Sequence, residues 1–132
     1  MTTFVDASAL VAIGRDEPET AVLLATLGKD RVRVTSAIAL WETARAFAKS
    51  SRGSLDEAWA ETERLAATLG IGLVTIGDAE ATEAFRAHAR YGKGRGHAAK
   101  LNLGDCFAYA CAKTNDARLL YKGDDFARTD LA

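Results

Sequence analysis

Thr3-Phe4-Val5-Asp6-Ala7-Ser8-Ala9-Leu10-Val11-Ala12-Ile13 is the stretch on which the fold turns. Its first three residues are β-prone and end on a carboxylate. From Ser8 onward the side chains are small and apolar with helical character, so a short strand feeds directly into a helix. The same unit recurs along the chain. Residues 31–35 alternate as a strand and lead through Ser36 into a helix over about 37–49. Residues 71–76 read as a third strand, and Gly77-Asp78 turns into a helix over about 79–91. Gly104-Asp105 opens a helix over 106–114, ahead of a fourth strand over 118–121. Two more helices complete the pattern, one over 17–27 closed by Gly28 and one started by the capping-box sequence Ser54-Leu55-Asp56-Glu57. Strands separated by helices pair in parallel. The expected fold class is α/β, a three-layer α/β/α sandwich around a mostly parallel four- to five-stranded sheet.

At 132 residues the chain has room for a single domain spanning 1–132. It is 48% hydrophobic and 27% charged with one proline, which supports a real core and excludes disordered, collagenous and disulfide-knot classes. No basic leader opens the sequence, and no run approaches the ~18 apolar residues of a membrane span, so the expectation is a cytoplasmic protein with no membrane partner. Cys106 and Cys111 stand five apart on one helix, too far for an unstrained bridge, and read as reduced and buried. Trp41, Phe47 and Trp59 fit either a partner groove or the core, and are assigned to the core ahead of the groove.

The net charge of −1 conceals a division along the chain. Residues 84–104 carry no acid, whereas Arg86, Arg90, Lys93, Arg95 and Lys100 all fall there, with His88 and His97 among them. Within this segment Gly92-Lys93-Gly94-Arg95-Gly96 is a mobile cationic loop. Lys93, Arg95, His97 and Lys100 are its expected substrate-binding residues, suited to a ribose-phosphate backbone. Tyr91 is the nearest aromatic, so base-specific reading has little support.

In open α/β sheets the working crevice lies beyond the carboxyl ends of the strands. Asp6 follows the first strand and Asp124 and Asp125 follow the last. Glu42 and Asp105 lie one to two turns into helices that could face the same edge. Each also fits a plain role: Asp6 and Asp105 as helix N-caps, Glu42 as a partner for Arg45, Asp124 and Asp125 as turn formers. Against those roles, Asp105 sits among Leu101, Leu103 and Phe107, and Glu42 follows Ile38, Leu40 and Trp41. Carboxylates in such surroundings require a counter-charge. Oxygen-only ligands suit Mg²⁺ or Mn²⁺, and the lack of a Cys/His cluster argues against zinc. An ion so held supports hydrolysis of a phosphodiester without a protein nucleophile.

Four blocks in order give the chain a resemblance over essentially its whole length. They are Phe4-Val5-Asp6-Ala7-Ser8; Thr35-Ser36-Ala37-Ile38-Ala39-Leu40-Trp41-Glu42; Tyr91-Gly92-Lys93 with Leu101-Asn102-Leu103-Gly104-Asp105; and Leu120-Tyr121-Lys122-Gly123-Asp124-Asp125-Phe126. It resembles the PIN-domain ribonucleases, and within them the VapC toxins of type II toxin–antitoxin modules. That resemblance implies a Mg²⁺- or Mn²⁺-dependent endoribonuclease, a homodimer, acting on RNA and neutralised by a cognate VapB-type antitoxin. It also implies that Asp6, Glu42 and Asp105 hold the metal. The fourth acid is Asp125 or Asp124, with Asp125 preferred because it precedes the Phe, and Ser8 and Asn102 support the metal site.

Other classes fit less well. A phosphoacceptor receiver needs two acids after the first strand, and a dehalogenase-type phosphatase needs Asp where Ser8 stands. Neither phosphate-loop motif has its spacing here. The surviving rival is a non-catalytic PIN-fold module that binds RNA or protein without cutting.

Overall fold

The computed structural model describes residues 1–50 and 52–132. Its elements are β1 (Thr2–Val5), α1 (Ala7–Gly14), α2 (Thr20–Leu27), β2 (Val32–Thr35), α3 (Ala37–Ser50), α4 (Leu55–Thr68), β3 (Ile71–Leu73), α5 (Asp78–Tyr91), α6 (Leu103–Thr114) and β4 (Ala117–Leu120). The four strands form one parallel sheet in the order β3-β2-β1-β4. In β1, Phe4 pairs with Val34 on one side and with Leu119 on the other.

Phe4 and Val5 are both fully buried, but on opposite faces, as successive strand residues must be. Phe4 joins a core with Ala84, Ala87, Cys106 and Ala110 of α5 and α6. Val5 joins Leu10, Leu23, Leu40 and Ala66 of α1 to α4. The three expected layers follow from this division. Burying such side chains contributes about 1.5–3 kcal/mol each, which makes β1 the spine of the domain.

The sheet order also locates the crevice. Strands β1, β2 and β3 step one way across the sheet, whereas β4 returns to the other side of β1. The reversal therefore lies between β1 and β4, and their carboxyl ends deliver Asp6 and the 121–126 loop to the same edge.

Several boundaries differ from the sequence reading. β3 stops at Leu73 because its partner β2 ends at Thr35, which pairs with Leu73, leaving an edge strand nothing to pair with. α2 starts at Thr20, after a turn in which Asp16 adopts φ 50. α6 starts at Leu103 with Asn102 as its N-cap, one turn before the expected start. Ser54 does cap α4, accepting from the Glu57 N–H at 3.1 Å. Phe47 is buried, but Trp41 and Trp59 are 59% and 41% exposed, contrary to their assignment to the core. Cys106 and Cys111 are free and buried. Among the described residues, no helix is long and apolar enough to cross a membrane.

Candidate active site

Asp6 leaves β1 in extended conformation and caps α1. Its Oδ2 accepts from the Ser8 N–H at 3.0 Å and from the Ser8 hydroxyl at 2.6 Å. The residue is only 5% exposed. Burial pushes its pKa up, the Ser8 bonds pull against that, and the charge of Asp125 pushes it further up. Ser8 Oγ also accepts from the backbone N–H of Lys122 at 3.0 Å, linking the start of α1 to the loop after β4.

Asp105 is the third residue of α6 and forms a reciprocal cap with Asn102. Asn102 Oδ1 accepts from the Asp105 N–H at 2.8 Å, and Asp105 Oδ2 accepts from the Asn102 N–H at 3.1 Å. Burial raises the Asp105 pKa to about 6. The Asn102 bond opposes the rise, while Asp125 and Asp6 add to it. Asp6 and Asp105 are therefore helix-cap residues as well as members of an acidic group. The two readings are compatible because both helices begin at the same edge.

Glu42 stands in the second turn of α3, and its pKa rises to about 7 through burial first, then through the charges of Asp6 and Asp105. It makes no ion pair with Arg45, whose guanidinium instead lies 5.5 Å from the centre of the Trp41 ring. The Glu42 carboxylate rests on Gly104, where an added Cβ would overlap it. The Gly104-Asp105 dipeptide carried that signal in the sequence, since a glycine in the first turn of a helix often marks a close approach.

Asp125 is exposed, and its charge acts on both Asp6 and Asp105. Asp124, also exposed, is not among the groups acting on either. Asp124 and Asp125 line a shallow cavity with Lys100 and Arg128. Arg128 was not singled out from sequence, where it stands outside the basic segment. None of the ion pairs among the described residues involves Asp6, Glu42, Asp105 or Asp125.

The basic loop is less free than its glycines suggested. The Lys93 N–H donates to the Leu101 carbonyl and the Leu101 N–H to the Tyr91 carbonyl, both at 2.9 Å. Gly94 and Gly96 take positive φ between these anchors. Lys93, Arg95 and Lys100 are exposed. Lys93 borders a groove between α5 and α6 that also holds Phe85, Asn102 and Leu103. His97 is half-buried, with its ring edge-on to Tyr91 at 4.9 Å and its Nδ1 accepting from the Ala99 N–H, so it serves the loop's own structure.

The donor set is all carboxylate, and no Lys, Arg or His is among the influences on Asp6, Glu42 or Asp105. Buried like charges without a partner suit a hard divalent cation. Among the described residues no three His, Cys, Asp or Glu side chains form a ready-made cage.

Known proteins resemble the chain over nearly its whole length. A family model described as PIN domain matches residues 3–131. The chain is 41% identical over 132 residues to a protein named Ribonuclease VapC from Mycolicibacterium smegmatis, covering 97% of this chain and 96% of that one. It is 39% identical over 140 residues to a VapC ribonuclease of Rhizobium meliloti, covering 98% and 99%. Ribonuclease VapC30 of Mycobacterium tuberculosis is 38% identical over 132 residues, covering 97% and 95%. The crystal structure of Mycobacterium tuberculosis VapC20, a sarcin-ricin loop cleaving toxin, matches with a TM-score of 0.73 at 17% identity over 96% of this chain and 93% of that one.

Proposed function

The chain belongs to the PIN-domain family, among the VapC ribonucleases, and from that premise we propose that it is an endoribonuclease toxin that needs a divalent metal. One observation carries the metal dependence. Asp6, Glu42 and Asp105 come from three separate segments, burial and a neighbouring carboxylate both raise the pKa of each, and among the described residues no cationic side chain is among the influences on them.

In this reading Asp6 and Asp105 hold Mg²⁺ or Mn²⁺ directly. Glu42 holds it through water or orients the attacking water, and Asp125 completes the pocket. Ser8 fixes the Asp6 rotamer through its 2.6 Å bond, and Asn102 fixes Asp105 through the reciprocal cap. When bound, such an ion supplies charge neutralisation at the phosphodiester and a water of lowered pKa. The chain itself supplies the alignment. Lys93, Arg95 and Lys100 engage the RNA backbone next to the acids, so that the scissile phosphate enters between the cationic loop and the carboxylates.

The VapC relationship supports a VapB-type antitoxin as the neutralising partner, with the toxin assembled as a homodimer. Cleavage of RNA by the purified protein tests the reading. Product should form with Mn²⁺ or Mg²⁺ and vanish with a chelator, and Asp6→Asn or Asp105→Asn should abolish cleavage with the circular-dichroism spectrum intact. Full activity in either folded variant, or equal cleavage in chelator, overturns it. Metal-independent RNA binding without cleavage would favour the binding-module alternative.

A further inference from the structure

We infer that Glu17 and Lys122 are positioning residues: together they form a strut that fixes where Asp6 and Asp125 stand, an inference that rests on the nuclease reading above. Lys122 lies two residues beyond β4 and three before Asp125. Its Nζ pairs with Glu17 Oε1 at 2.5 Å and lies 3.5 Å from Glu19 Oε2. Its backbone N–H donates to Ser8 Oγ at 3.0 Å, and the Ser8 hydroxyl donates to Asp6 Oδ2 at 2.6 Å. The two ends of one residue thus join the α1–α2 connection to the acid at the start of α1.

The Glu17 end is fixed in turn. Asp16 adopts φ 50, the Glu17 N–H donates to the Ala12 carbonyl at 2.9 Å, and Thr20 Oγ1 donates to the same carbonyl at 3.0 Å. Ala12 and Ser8 both belong to α1, so α1, the following turn and Lys122 close a bracket. On the far side of Asp125, Phe126 is 1% exposed with its ring 5.2 Å from that of Tyr121. Asp125 is therefore carried on a span between two anchored points, Lys122 and Phe126.

A direct role for Lys122 in gripping RNA is disfavoured by its surroundings. Two carboxylates face one ammonium, and Glu19 Oε2 is buried with no hydrogen-bond partner among the described residues. The cluster is net negative and offers a phosphate no attraction. As a partly exposed ion pair it adds little to stability, and its value lies in geometry.

The test compares Lys122→Met, Glu17→Gln, the double variant and Lys122→Arg. Three readouts are taken: kcat and KM for RNA cleavage in Mn²⁺, and amide hydrogen exchange at Ser8 and Lys122 in metal-free protein without RNA. Each single change to a neutral residue should lower kcat about 10-fold, because small misplacements of reacting groups are costly. KM should stay within about twofold. The double variant should be no worse than either single one, Lys122→Arg should recover most of the rate, and both amides should exchange about 10-fold faster in the neutral variants. Unchanged kcat or unchanged exchange overturns the strut. So does a fall in KM for Glu17→Gln, which would show Lys122 released to bind RNA. Absence of metal-dependent cleavage by the wild type would instead sink the nuclease reading, and the exchange measurement would still decide the strut.

Discussion

The Glu42 carboxylate of α3 lies against Gly104 of α6, so close that a Cβ there would overlap both carboxylate oxygens. Alanine is the better helix former by about 1 kcal/mol, so propensity alone favours Gly104→Ala. Because the methyl would displace Glu42 from its place beside Asp6 and Asp105, the variant should lose at least about 10-fold in kcat while helical content is kept. Undiminished cleavage would show that the seat of Glu42 does not matter.

The raised pKa values of Glu42, about 7, and Asp105, about 6, make the metal-free fold sensitive to alkali. A carboxyl whose folded pKa lies above its unfolded value contributes stability below the unfolded pKa, and that contribution is lost as pH rises through the folded pKa. The thermal midpoint of metal-free protein should therefore fall between about pH 4 and pH 8. Saturating Mg²⁺ should flatten the slope by taking up the charge. A midpoint that climbs over this range in chelator would contradict the crowding of the acids.

Removing one charge should have the same sign. Glu42→Gln at pH 8 should raise the thermal midpoint of metal-free protein, because a half-buried anion facing two others is replaced by a neutral amide. Its Mg²⁺-dependent stabilisation should shrink in calorimetry. A destabilised variant would show that Glu42 is held by favourable contacts.

Ser8→Ala removes the hydroxyl that lowers the Asp6 pKa against burial. The acid limb of the pH–rate profile should then move to higher pH, since Asp6 must lose its proton to bind metal. An unshifted limb with normal rate would remove Ser8 from the support of Asp6.

The sequence made the strands and the first turns of the helices legible because β1 is apolar on both faces and each strand end is followed by a capping or turn residue. It overextended β3, since a register ending at Thr35 cannot be inferred from the alternation of residues 71–76. It misplaced Trp41 and Trp59, because an aromatic on an amphipathic helix looks the same whether the face it occupies meets the core or solvent. The acids could be collected at one edge by topology. Between the adjacent Asp124 and Asp125 the sequence favoured Asp125 only for preceding Phe126; in the structure Asp125, and not Asp124, is among the groups acting on Asp6 and Asp105. Lys122 and Glu17 gave no signal, because a pairing across such sequence separation appears only after folding.

Away from the site, Asp130 fastens the C-terminal segment to α5 and α6. It accepts from Tyr109 at 2.6 Å, from Tyr91 at 3.2 Å and from Lys113 at 2.5 Å. Burial pushes its pKa up, but the bonds from Lys113, Tyr109 and Tyr91 outweigh it and bring the value down to about 2. A depressed carboxyl pKa contributes stability above the unfolded value, and that contribution is lost as pH falls from about 4 towards 2. Asp130→Asn should lower neutral-pH stability by roughly 1 kcal/mol or less, given its partial exposure, and blunt acid unfolding over that window. An unchanged acid transition would discount the clamp.

β4, the last strand, docks beside β1, the first, and Asp125 arrives only after it. Asp125 is therefore set beside Asp6 and Asp105 by the pairing of β4 with β1, and its charge reaches them only in the fully paired sheet.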